Sequence, residues 1–298
     1  MISICIPTFN RSAYLKRLLD NILLQNIPSL EVIIVNDGSS DDTIAVIDSF
    51  RDCLNLIIYT QNNQGRANAL KKAINLSTNE YLIFMDDEDY FIEGALKEVM
   101  KDLKLLSLEK DESISGLVYL TNDINGSNIG NSFKKDNMIS NLVEIVADFK
   151  SVGDKKQVIK SKLIKEILYK NIRNERRVPT SLLWCRISNN YKCRFFNKPI
   201  VVKDYLDGGM TKNINRLRRK SPYSSRQIYK ELSNQNNVYK SKKFKLKSVI
   251  LFYKYNFYCQ EKSTISPSLI YKIIALPISF LFIVIDLFSD LIYKFKNG

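Results

Sequence analysis

The chain has 298 residues, 45% hydrophobic and 26% charged, with a formal net charge of +14. That is long enough for one large domain with appendages or two small domains, and the apolar fraction is that of a folded protein. Histidine is absent, which excludes Ser-His-Asp and Cys-His mechanisms and leaves acid–base chemistry to Asp, Glu, Lys, Tyr or Cys. The five cysteines, Cys5, Cys53, Cys185, Cys193 and Cys259, have no CxxC spacing. Neither a zinc site nor a disulfide framework is expected, and a reducing cytoplasm fits. Met1-Ile2-Ser3-Ile4-Cys5 enters an apolar run with no basic leader or small-residue cleavage site, so no secretory signal is expected.

In chain order, Ile2 to Ile6 reads as a strand closed by Pro7-Thr8-Phe9-Asn10-Arg11. Leu15, Leu18, Leu19, Ile22 and Leu23 then share one face of a helix. Leu30 to Val35 is a β-branched strand ending in Asn36-Asp37-Gly38-Ser39-Ser40-Asp41-Asp42, a run of turn and N-cap residues before a helix over Thr43 to Phe50. Leu54 to Tyr59 is a third strand, and Asn62-Asn63-Gln64-Gly65-Arg66 opens a third helix, Ala67 to Leu76. Tyr81 to Met85 is the fourth strand. Such alternation predicts a parallel, doubly wound α/β sheet, with ligands beyond the carboxyl ends of the strands. The polar clusters Thr8–Arg11, Asn36–Ser39 and Asp86–Asp89 fall at those ends and are read as one shared binding site.

The fourth strand ends abruptly in Asp86-Asp87-Glu88-Asp89. Clustered carboxylates repel and are costly to bury, so something cationic must offset them. A hard divalent ion, Mg²⁺ or Mn²⁺, is held by one or two carboxylates plus the phosphates of a substrate. The bland alternative is a solvated acidic turn before a helix beginning near Gly94.

Four pieces, Ile6-Pro7-Thr8-Phe9-Asn10-Arg11, Val35 through Thr43, Asn63-Gln64-Gly65 and Tyr81 through Tyr90, resemble in order and spacing the amino-terminal half of family 2 glycosyltransferases, which have the GT-A fold. The resemblance covers residues 1–95. It implies a nucleotide-sugar site built from Pro7, Thr8, Asn10, Arg11, Asp37, Gly65, Arg66, Asp86 and Asp87. Thr8 and Asp37 would bind the uridine of a UDP-sugar, and Arg66 would lie near the nucleotide or its pyrophosphate. It also implies a Mn²⁺ or Mg²⁺ ion on Asp86, Glu88 and Asp89. The family's DxD pattern ends here in Glu88, and Leu70 stands where many members carry an arginine.

Farther on, a helix is expected over Glu93 to Leu108 and a strand over Ser115 to Thr121. Gly153-Asp154-Lys155, the helix Leu163 to Tyr169, Asn174 through Trp184 and Tyr205 through Thr211 resemble, more loosely, members that build bacterial surface polysaccharides. In those, an acid near Glu175–Thr180 serves as general base. Thr180 stands where that acid often falls, leaving Glu175, then Asp154, as candidates, with a surface salt bridge to Arg176 or Arg177 as the alternative role for Glu175.

The expected domains are a GT-A domain over 1–211, with a nucleotide half 1–95 and an acceptor half 96–211, and a basic, apolar helical region over 212–298. Lys198 to Lys254 is crowded with Lys and Arg and seeks phosphates. Lys272 and Asp286 bound the uncharged core Ile273 to Ile285, which is shorter than the ~20 residues of a spanning helix, and Pro277 would kink it. One or two helices lying in the interface of an anionic membrane are expected, with a tilted span or a helix packed on protein as alternatives. No nucleic-acid motif is recognisable. The whole predicts an inverting, metal-dependent glycosyltransferase, peripheral on the cytoplasmic face of the cell membrane, that moves sugar from a UDP-sugar to a saccharide or lipid-linked saccharide. A homo-oligomer is possible on this reading. The alternative is a non-catalytic nucleotide-sugar-binding subunit, motivated by Glu88 and Thr180; a nucleotidyltransferase is disfavoured by the missing Gly-rich loop after Ile6.

Overall fold

The computed structural model describes residues 1–168, 175, 177–204 and 214–297, with 291–297 in backbone only. The sequence-predicted features at Asn174, Arg176 and Tyr205 through Thr211 lie outside the described residues. The amino-terminal part alternates as expected: β1 (Ile2–Thr8), α1 (Ser12–Leu24), β2 (Glu31–Asn36), α2 (Thr43–Asp48), β3 (Leu56–Thr60), α3 (Arg66–Leu76) and β4 (Tyr81–Phe84). These four strands pair in parallel in the order β3-β2-β1-β4.

Period-two alternation gives the sheet two apolar faces. Ile2, Ile4, Ile6, Val32 and Ile34 pack with Leu15, Leu18, Leu19 and Ile22 of α1 and Ile47 of α2 on one face. Cys5, Ile33 and Val35 pack with Ala69, Leu70, Ala73 and Ile74 of α3 on the other. Leu70 is therefore core, fully buried. Leu23 departs from its expected place on the buried face of α1 and is 42% exposed.

The second half inserts strands into the same sheet. After β5 (Tyr90–Phe91) and α4 (Ala95–Glu109) come β6 (Ile114–Asn122), β7 (Met138–Ser140), α5 (Glu144–Ala147), β8 (Lys155–Lys160), α6 (Ser161–Ile167), α7 (Ser181–Ile187) and β9 (Lys192–Val202). The order continues β4-β8-β6-β9-β5, with β7 on β9. β8 runs antiparallel to both β4 and β6, while β6 and β9 are parallel. The sheet is thus mixed rather than parallel throughout. Pro199 lies inside β9 opposite Leu120, where the register shifts on either side; at such a bulge the missing N–H removes no ladder bond.

Four helices follow: α8 (Ile214–Lys220), α9 (Pro222–Asn234), α10 (Lys242–Tyr258) and α11 (Leu269–Asn297). α9 is fixed to α7 by the Arg186–Glu231 ion pair at 2.7 Å and to α10 by Tyr229 stacked on Tyr255 with ring centroids 5.7 Å apart. α11 is one continuous helix running through Pro277. Its inner stripe, Ala275, Ser279, Ile283 and Asp286, is buried. Asp286 accepts from Arg219 at 3.1 Å and pairs with Lys254 at 2.7 Å.

Candidate active site

Three strand ends converge because β1, β2 and β4 are parallel neighbours. The Asp37 N–H donates to the Thr8 carbonyl at 2.9 Å, and the Met85 N–H to the Cys5 carbonyl at 3.0 Å. Asn10 sits at φ +51°, so its side chain turns to accept from the Ser40 N–H at 2.7 Å and ties the first loop to the second. Pro7 lies within β1 opposite Val35, one residue before the opening of this site.

Asp37 is buried and fully engaged. It accepts from Gln61 Nε2, Gln64 N and Gly65 N, each at 2.8 Å. Gly38 at φ +81° makes the turn; a Cβ there would stand 3.0 Å from Asn63 N. Gly65, at φ +88°, precedes α3 and delivers Arg66 toward the acids.

Each of the four acids meets cations of the protein itself. Arg66 forks onto Asp86, with Nε donating at 2.7 Å. Arg11 Nη1 reaches Asp87 at 3.1 Å and also donates to Glu88. Thr8 Oγ1 donates to Asp87 Oδ2 at 2.7 Å. Lys203, at the end of β9, stands 2.9 Å from Asp89, 3.7 Å from Asp86 and 3.6 Å from Asp154. Lys156 of β8 is 3.7 Å from Asp89 and donates to the Phe84 carbonyl at 3.0 Å. The turn is therefore not a freely solvated loop: four basic side chains of the protein face its carboxylates. Nothing in the local sequence pointed to Lys156 or Lys203. The available signal was the requirement for cations itself, together with lysines in strands where apolar residues would be expected.

The electrostatics separate the acids. Burial opposes ionisation of Asp86, but Arg66 and Lys203 outweigh it and hold the carboxyl well below the usual range. Burial, then a hydrogen bond with Asp87 and the charge of Asp86, push Glu88 up to about 7, against the pull of Arg11. Burial likewise raises Asp89, against Lys156 and Lys203. Lys203 is raised in spite of its burial by Asp86, Asp89 and Asp154.

The structure parts from the expected metal set at Asp89, whose side chain is 2% exposed and turned to two lysines. Among the described residues no three potential ligands are gathered into a ready-made metal site. The carboxylates are engaged instead by Arg66, Lys203 and Arg11. Asp86 and Glu88 remain partly exposed and are hard oxygen donors. These two fit a hard divalent ion completed by substrate phosphates.

The two candidate bases occupy different places. Glu175 accepts from the Tyr223 and Ser224 N–H groups at 3.1 and 2.7 Å and caps α9, so its carboxylate is spent on a helix start. Asp154 is 55% exposed beside Lys203. The structure brings Thr8, Arg11, Asp37, Gly65, Arg66, Asp86, Asp87, Glu88 and Asp154 to one mouth and directs Glu175 elsewhere. Trp184, stacked on Phe84 at 5.6 Å, sets α7 against the end of β4.

A mixed sheet of this order, with its acidic turn after the fourth strand, is the GT-A fold. The profile of Glycosyl transferase family 2 matches residues 3–108. The chain is 34% identical over 141 residues to a chondroitin synthase of Pasteurella multocida, covering 45% of this chain and 14% of that protein. It is 28% identical over 179 residues to the GalNAc(5)-diNAcBac-PP-undecaprenol beta-1,3-glucosyltransferase of Campylobacter jejuni, covering 57% and 56%. The chain thus spans less than two thirds of the length of either relative. Among solved structures, residues 1–349 of Staphylococcus aureus TarS in complex with UDP-GlcNAc superimpose with a TM-score of 0.65 at 20% identity, over 86% of this chain and 72% of that one. A Pyrobaculum calidifontis mannosyltransferase in complex with GDP-Man and Mn²⁺ gives 0.54 at 14% identity, over 96% and 87%.

Proposed function

We propose that the chain is an inverting glycosyltransferase that moves a sugar from a UDP-sugar to a saccharide acceptor, lipid-linked in kind, in the assembly of a bacterial surface polysaccharide. The observation that carries this reading is the bonding of Thr8, Arg11, Asp37, Gly65 and Arg66 to one another and to Asp86–Glu88 at the carboxyl ends of β1, β2 and β4. The names of the relatives support the substrate class, and the UDP-GlcNAc complex of TarS supports the donor class.

In this reading Asp37 fixes the turn that receives the nucleotide, and Arg66 faces its phosphates. Asp86 and Glu88 would hold Mg²⁺ or Mn²⁺, which when bound stabilises charge on a departing diphosphate. Asp154, exposed beside Lys203, takes the proton of the attacking hydroxyl. The bond from sugar to diphosphate breaks as the new glycosidic bond forms on the opposite face. Residues 1–211 would be the GT-A domain and 212–298 a membrane-associating region. Leu269–Asp290 of α11 is long and apolar enough to cross a membrane, but Asp286 on its inner stripe is paired within the protein. Its outer face exposes Leu269, Ile270, Ile273, Phe280 and Phe288, the arrangement of a helix lying on an anionic bilayer.

The test is thermal stabilisation by a panel of UDP- and GDP-sugars with Mn²⁺. Selective, metal-dependent stabilisation by one UDP-sugar, lost in Asp86→Ala, is expected. No stabilisation by any nucleotide would defeat the reading. A second reading, a nucleotide-sugar-binding subunit without turnover, is favoured by Thr180 and by the engagement of Glu175; it requires binding without transfer.

A further inference from the structure

Next to the acidic mouth lies a group of arginines that the acids do not neutralise. Arg177 follows the α9-capping Glu175, and its carbonyl accepts from Ser224 Oγ at 2.9 Å. The Arg218 carbonyl accepts from the next residue, Ser225 Oγ, at 3.0 Å. One turn of α9 therefore holds the backbones of both arginines. The Arg218 side chain lies beside Tyr255 of α10. Arg177 Nη1 is buried with no hydrogen-bond partner. Burial and the positive charges of Arg218 and Arg66 all disfavour the charged form of Arg177. Among the described residues no carboxylate pairs with Arg177 or Arg218. Setting the half-buried Arg177, with its buried Nη1, against other cations without an acid is unfavourable unless an anion completes it.

The neighbouring residues face the other way. Arg219, next to Arg218, donates to Asp286 at 3.1 Å and to Asp290 at 2.5 Å. Lys254, next to Tyr255, pairs with Asp286 at 2.7 Å. Consecutive residues on α8 and on α10 thus bind the arginine pair on one side and α11, with its exposed apolar face, on the other.

We infer that Arg177 and Arg218 seat the phosphate or diphosphate group of an amphiphilic acceptor, with the donor mouth on one side and the apolar helix α11 on the other. An acceptor held there has its charged head at a cationic pocket, its tail along α11 and its sugar directed to Asp154. The inference deepens the donor reading above and rests on it for the sugar's direction, but the anion seat can be measured separately.

The experiment titrates the full chain with farnesyl diphosphate, a soluble probe of this class, with and without saturating UDP and Mn²⁺. Binding that persists when UDP occupies its own site is expected. Arg177→Gln and Arg218→Gln should each weaken it about tenfold, the loss of one charge-assisted contact, while UDP affinity stays within about twofold and Arg177→Lys recovers part of the loss. Equal loss of UDP affinity would assign the arginines to the donor diphosphate and overturn the inference. Unchanged probe binding in both Gln variants would do the same. Inorganic pyrophosphate binding as tightly as farnesyl diphosphate would leave a free-phosphate site and refute the amphiphile. Failure of UDP alone to bind would defeat the donor reading while the titration without UDP still reads the seat.

Discussion

Thr8 and Asp87 are 79 residues apart in sequence, yet the threonine hydroxyl donates to the carboxylate at 2.7 Å with both residues buried. The bond locks the end of β1 to the acidic turn after β4. Thr8→Val keeps the shape and leaves Asp87 one donor short, at a cost of about 1–3 kcal/mol. A lower denaturant midpoint at unchanged slope is the expected result; an unchanged midpoint would mean that the bond carries no stability.

Lys203 is the cation shared by Asp86, Asp89 and Asp154. Lys203→Met leaves Asp89 buried with only Lys156 to meet it, and should cost about 3–5 kcal/mol. The deficit should be larger at pH 8 than at pH 5, since an unpaired buried carboxyl gains stability by keeping its proton. Adding Asp89→Asn should recover part of the loss, which a double-mutant cycle would measure.

Glu88 gives stability a definite pH slope. Burial and its acidic neighbours raise it from 4.5 to about 7 in the fold. Between those values the folded state holds a proton that the unfolded chain has released, so this group's contribution falls as pH rises through that window. Glu88→Gln should flatten the slope, raising the melting temperature at pH 8 but not at pH 4. Equal shifts at both pH values would count against it.

Asp154 and Glu175 separate by the kind of damage they cause. Asp154→Asn should lower transfer by about 10²–10⁴-fold, the usual contribution of a general base, with UDP binding retained. Glu175→Gln weakens the cap on α9 and should cost about 0.5–2 kcal/mol of stability with a much smaller effect on turnover. The reverse pattern would make Glu175 the base.

The outer face of α11 can be tested directly. Phe280 and Phe288 are 66% and 63% exposed, and inserting each into lipid is worth about 1.5–3 kcal/mol. The Phe280→Ser/Phe288→Ser variant should lose at least about tenfold in co-sedimentation with anionic vesicles, with its melting temperature unchanged. Equal binding would place the contact on another surface.

The first four strands and three helices were legible because each is coded locally, by alternation along a strand, by a heptad-like stripe on α1 and by turn residues between them. Thr8, Asp37, Gly65 and Arg66 were legible as positions at strand ends and at a helix start. β9 was not, because its eleven residues include Pro199 and its partners lie far away in sequence. Nor could the sequence reveal that Lys156 and Lys203 turn inward, since burial of a lysine depends on which acids the tertiary fold sets beside it. The family resemblance alone makes Glu175 a candidate base, while its hydrogen bonds depend on where α9 begins, nearly fifty residues later.

The two lysines that steady the acidic turn come from strands made long after it. The four parallel strands β1 to β4 are finished by Phe84, whereas Lys156 arrives only with β8 and Lys203 just after β9. At ~5–20 residues per second of synthesis, the nascent chain carries the acids half-neutralised for roughly ten seconds. A fragment ending at residue 108, where the family match stops, would carry Arg11 and Arg66 but neither lysine. The fully paired acidic turn is thus a property the polypeptide acquires late, when its carboxyl-terminal half threads back into a sheet its amino-terminal half began.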